Sequence, residues 1–219
     1  MKTRKPFLGL LTYSFHSISG SLILIQLFAL LAGLTGIAAK IGGLDIILHS
    51  FPWMAVGAAP YILVSKSGSI EKWERYQLTM PIKRKDLATM LYLNVFLSLH
   101  LAFPVVGVVW GIGFIFQQAS LYTLIHGWFP SIAYAYGTIL LFTALIYPIG
   151  STKLGGRSKD GLFFVCLVIA VAIVTPMTIA GRAMGLSNVV ISVLVIAITG
   201  VAFVIGLLIT RAMYAKMDF

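Results

Sequence analysis

The chain has 219 residues, of which 59% are hydrophobic and 10% charged, and a formal net charge of +10. Soluble domains carry about 25% charged residues, and a chain of mean hydropathy +1.00 cannot clothe a globular surface in polar groups, which excludes a water-soluble globule. The positive charges sit at the ends of apolar runs, where they report membrane topology rather than nucleic-acid binding.

At roughly 20 apolar residues per bilayer-crossing helix, the chain has room for six or seven spans with short connections. No polar stretch is long enough to fold as a separate soluble domain. The expected fold is an all-α membrane protein, one transmembrane domain over residues 1–219. The single cysteine, Cys166, lies within an apolar run and reads as a small buried hydrophobe.

Residues 1–17 open with Lys2, Arg4, Lys5 and Pro6, then place Phe7, Leu10, Leu11 and Ser14 at helical spacing. This stretch is too short to span and predicts an interfacial amphipathic helix on the inner leaflet. The apolar run 18–39 is longer than the 7–15 residue core of a signal peptide and predicts the first span. Residues 46–65, interrupted by Pro52 and Pro60, predict the second.

A polar segment, 66–86, follows. A third span is predicted over 87–116, with Pro104 near its middle and length enough for tilt or a kink. The connection 117–129 carries Tyr122 and Trp128, residues suited to the membrane–water interface. Spans four, five and six are expected over 130–150, 161–180 and 186–210. A basic loop, 151–160, joins the first two of these, and the short connection 181–185 joins the last two.

Numbering sides alternately, one side collects fourteen of the sixteen basic residues and the other only Lys40 and Arg182. Short basic loops stay cytoplasmic, so both termini are expected in the cytosol of a multi-pass cell-membrane protein. A wrong span count would scramble this segregation.

The expected spans contain almost no ionisable side chains. All six acidic residues, Asp45, Glu71, Glu74, Asp86, Asp160 and Asp218, lie at span edges or in loops. Ion-coupled carriers usually hold a carboxylate within the membrane, so transport coupled to ions through such a group is disfavoured. His16, His49, His100 and His126 are scattered, without the His-Glu-x-x-His spacing of a zinc site. No nucleophile elbow and no P-loop sequence occurs. No catalytic, cofactor or metal residue is therefore expected in this chain.

Chemistry concentrates in the segment 66–86, which is expected in the cytosol. Ser69 is placed to cap a short helix, with Ile70, Trp73 and Gln77 along one face and Glu71, Glu74 and Arg75 largely on another. Pro81 ends that helix, and Asp86, after Lys83, Arg84 and Lys85, is placed to cap the third span. A short helix parallel to the membrane with its charges outward suits docking of a soluble partner. The same residues also suit a loop anchored on lipid headgroups.

The run from Glu74 through Tyr76, Pro81, Ile82, Lys83, Arg84, Lys85 and Asp86 into Leu87 resembles the ABC-2 type transporter permeases. Among these it is similar to small bacterial permeases, including those that export phenol-soluble modulins. The resemblance implies that 66–86 is a coupling helix seated on a separate nucleotide-binding ATPase subunit, which would hold ATP and Mg. Glu71, Trp73, Glu74, Arg75, Tyr76, Gln77, Pro81, Lys83, Arg84, Lys85 and Asp86 would be its contacts. A second permease, identical or homologous, would complete the unit. Gln26, Asn94, His100 and Tyr134 are candidates for a mostly apolar translocation path, and equally for bonds between helices. The competing function is a non-transporting sensor or assembly subunit that docks a cytosolic protein through 66–86.

Overall fold

The computed structural model describes residues 83–117, 126, 129–150 and 159–216. They form four helices: α1 (Arg84–Gln117), α2 (Phe129–Gly150), α3 (Lys159–Ala183) and α4 (Asn188–Lys216). The expected N-terminal amphipathic helix, the first two spans and residues 66–82 lie outside the described residues. At about 1.5 Å per residue, even α2, with 22 residues, is about 33 Å long. Among the described residues, three stretches have the length and composition to cross a membrane: Ile132–Ile149 within α2, Gly161–Ala183 within α3, and Asn188–Lys216. The predicted third span falls on α1, whose 34 residues exceed the length that a hydrocarbon core of about 30 Å needs.

Interhelical contacts fix the directions. Tyr134 on α2 bonds Thr175 on α3, while Phe142 packs edge-on against Phe163, so these two helices are antiparallel. Tyr92 on α1 meets Tyr147 on α2 while His100 meets Tyr136, again antiparallel. On α4, Val195 and Thr199 face Gly137, and Gly206 faces Ala144, so α2 and α4 run parallel. Successive described helices therefore alternate in direction, as consecutive membrane crossings require.

The helix α2 is the centre of the bundle and packs against α4, α3 and α1. The window 132–149 is 61% buried, against 17% for the span on α3 and 28% for that on α4. The outer helices turn Phe164, Val168, Ile173, Val193, Ile198, Val201 and Leu208 outward. In lipid such side chains need no cover. Helix association there rests on close packing and polar contacts rather than on expelling water.

Close packing comes from small residues. A methyl group on Gly206 would stand 2.7 Å from Ala144 Cα and 2.8 Å from its carbonyl oxygen, so the two backbones touch. Gly137 leaves room for Val195 and Thr199, and Gly181 leaves room for Ile191. Along α3, Cys166, Ala170 and Val174 recur every four residues and pack with Leu141, Phe142 and Ile146 of α2. Cys166 is indeed a buried free thiol.

Two boundaries differ from the sequence expectation. The fifth and sixth spans are expected to be joined by 181–185, but α3 runs on to Ala183 and α4 begins at Asn188. The turn is set by Gly185, whose φ of 73° is left-handed and open to glycine without cost. Leu186 N–H donates to Gly181 O at 3.1 Å and Gly185 N–H to Arg182 O at 3.0 Å, closing the last carbonyls of α3. Ser187 then caps α4, accepting from Val190 N–H at 3.3 Å. Asp86, expected as the cap of the third span, lies inside the first turn of α1 instead. Its N–H already donates to Lys83 O at 2.7 Å, so the helix starts before it. The carboxylate there still suits the positive end of the helix dipole.

Candidate translocation and docking residues

The docking candidates meet the described residues only at Lys83, Arg84, Lys85 and Asp86. Lys83 and Lys85 are exposed and Asp86 half-buried at the start of α1. Glu71, Trp73, Glu74, Arg75, Tyr76, Gln77 and Pro81 lie outside the described residues. The basic group leads straight into α1, with Thr89 Oγ1 bonding Lys85 O at 3.0 Å in the first turns. Any displacement of this end is therefore carried by one continuous helix.

Of the path candidates, Gln26 lies outside the described residues and the other three occupy distinct settings. Tyr134 is half-buried against the α2–α3 core, and its hydroxyl meets Thr175 Oγ1 at 2.8 Å. It ties two helices together. His100 is exposed on α1, its Nδ1 2.7 Å from Phe96 O and its ring tilted against that of Phe96 with centroids 4.1 Å apart. Asn94 is 93% buried, at 7% exposure, and its Oδ1 has no hydrogen-bond partner among the described residues.

The buried polar side chains as a group are informative. Among the described residues they are Asn94, Ser98, Thr138, Thr143, Ser192, Thr199 and Thr210. The six hydroxyls each donate to the carbonyl four residues earlier in their own helix, at 2.7 or 2.8 Å. Back-bonding of this kind lets a hydroxyl sit in an apolar helix without a neighbour's help. Asn94 has no such arrangement for its oxygen.

A second polar centre was not singled out from sequence. Tyr92 is 1% exposed, and its hydroxyl lies 3.1 Å from Thr210 Oγ1. Thr210 spends its one proton on Gly206 O, so Tyr92 is the donor. The ring also packs against Tyr147 at 5.2 Å and Phe203 at 5.0 Å. It thus joins α1 to both α2 and α4. A tyrosine within an apolar run is a visible signal, but its partner lies 118 positions away. At the opposite end, Asn188 Nδ2 donates to His126 O at 3.2 Å. Among the described residues, no three His, Cys, Asp or Glu side chains gather where a metal could sit.

An all-helical bundle with apolar outer faces and hydroxyls satisfied within its own helices is a multi-pass membrane protein. A family model described as an ABC-2 family transporter protein matches residues 9–216, so the chain belongs to that family. The family supplies the membrane permease of ABC transporters, not the catalytic component, and normally works with an ATPase subunit. No curated protein and no solved structure matches the chain.

Proposed function

We propose that this chain is the permease subunit of an ABC exporter in the cell membrane, moving an amphipathic or hydrophobic substrate, short peptides included, outward. A separate ATPase subunit, holding ATP and Mg, docks on residues 66–86. A second permease completes the unit, and both termini lie in the cytosol. The observation that carries this reading is the family match over 9–216. It is supported by the basic residues Lys83 and Lys85, exposed where α1 begins. ATP-driven closure of two ATPase subunits would push on that loop, and α1 would pass the movement into the bundle.

The test is co-purification from detergent with an ATPase encoded beside it, measuring hydrolysis with and without the permease. A stoichiometric complex with altered hydrolysis is expected. Replacing Glu74 and Arg75 together with Ala should weaken the complex while membrane insertion is unchanged. A stoichiometric partner lacking nucleotide activity would replace transport with the sensor or assembly role.

A further inference from the structure

The position of Asn94 is specific. At about 100° per residue, it lies about 200° around α1 from Tyr92, the side chain that faces α2 and α4. Leu87, Met90 and Ser98 share its side of the helix, and all are buried, at 5%, 2% and 2% exposure. Ala88, Val95 and Leu99, buried as well, lie between the two positions, so one broad buried arc of α1 carries Tyr92 at one edge and Asn94 toward the other. Asn94 lies ten residues beyond Arg84, at about 1.5 Å each roughly 15 Å along the helix.

The chemistry there is one-sided. Asn94 Oδ1 is a buried acceptor without a donor among the described residues. Ser98 Oγ, one turn on, commits its proton to Asn94 O at 2.7 Å and offers only lone pairs to a neighbour. A buried amide oxygen left unbonded is costly, and the six buried hydroxyls avoid that cost within their own helices.

We propose that Asn94, with Ser98, forms an uncharged acceptor subsite on the translocation path for an N–H donor, ammonium or amide, carried by a transported amphiphile. This rests on the permease reading. The oxygen is closed off from solvent, so the donor reaches it when α1 shifts under the push delivered at its basic end.

The experiment is thermal unfolding of the full chain in an uncharged maltoside detergent with three probes of one tail length. Dodecylammonium presents N–H donors, dodecyltrimethylammonium has the same charge and none, and dodecanoate presents only acceptors. Dodecylammonium alone should raise the midpoint. Asn94→Leu should unfold at the same or higher temperature without probe and bind dodecylammonium about tenfold or more weakly. Asn94→Asp keeps the acceptor and should keep the discrimination.

Equal shifts from both cations, a shift from dodecanoate alone, or no shift from any probe would overturn the subsite. So would Asn94→Leu unfolding at a lower temperature without probe, which would make the amide a bond within the chain. These readouts do not involve the ATPase. Failure to co-purify with an ATPase would sink the permease reading while leaving the probe result intact, and the reverse also holds.

Discussion

At the scale of single residues, the inner polar contact is asymmetric. Tyr92 donates to Thr210, whose own proton goes to Gly206. Tyr92→Phe removes the donor and leaves Thr210 bonded, so the cost should be about 0.5–1 kcal/mol, the usual scale for such bonds in membranes. Thr210→Val strands a buried tyrosine hydroxyl and should cost about 1–3 kcal/mol. Thermal unfolding of both variants and their double checks the order; equal losses would show that Tyr92 is not the donor. The glycines give a second contrast on one helix. Gly206→Ala drives a methyl into the Ala144 backbone and should destabilise by about 1–3 kcal/mol. Gly200→Ala meets nothing within 4 Å and should gain about 0.5–1 kcal/mol from reduced chain entropy. The sequence alone makes these two glycines look alike, because only the partner helix tells them apart.

At the scale of elements, the α3–α4 connection is fixed by backbone geometry rather than by length. Gly185 has to be left-handed for Leu186 and Gly185 to reach back to Gly181 and Arg182. Gly185→Ala should therefore cost about 1–2 kcal/mol, and Gly185→Asn less, since asparagine visits that region more readily. Unfolding midpoints in detergent would show the order. Hydropathy places the spans well enough to find α2, α3 and α4, because an apolar run is a property of consecutive residues. It misplaces the turn by two or three residues, since Leu186 is apolar and yet belongs to the connection. The cap assigned to Asp86 fails for a related reason. A carboxylate suits both the cap and the first turn, and only the bond from Asp86 N–H to Lys83 O separates the two.

At the scale of the whole molecule, the alternating directions of the four helices agree with a chain that crosses the membrane repeatedly. The side each loop occupies is argued from charge. In a Cys166→Ala background, a cysteine at Ser158 should be labelled from the cytosolic side of inverted vesicles and not from outside intact cells. External labelling would overturn the six-span topology. The family was legible in the run from Glu74 to Leu87, because its residues are contiguous and charged in an otherwise apolar chain. Polarity alone marks Gln26, Asn94, His100 and Tyr134 in the apolar runs. Polarity cannot say that Tyr134 is engaged with Thr175 while the oxygen of Asn94 stands unbonded.

The back-bonded hydroxyls have a mechanical consequence. Each of the six closes its bond one turn back along its own helix, so sliding or tilting one helix against another leaves every one of those bonds intact. The described helices can change register without breaking any of those six bonds, whereas Tyr92 with Thr210 and Tyr134 with Thr175 bond across helices. Those two contacts act as bolts in a greased joint: they decide which helices travel together, and breaking either should free a different pair.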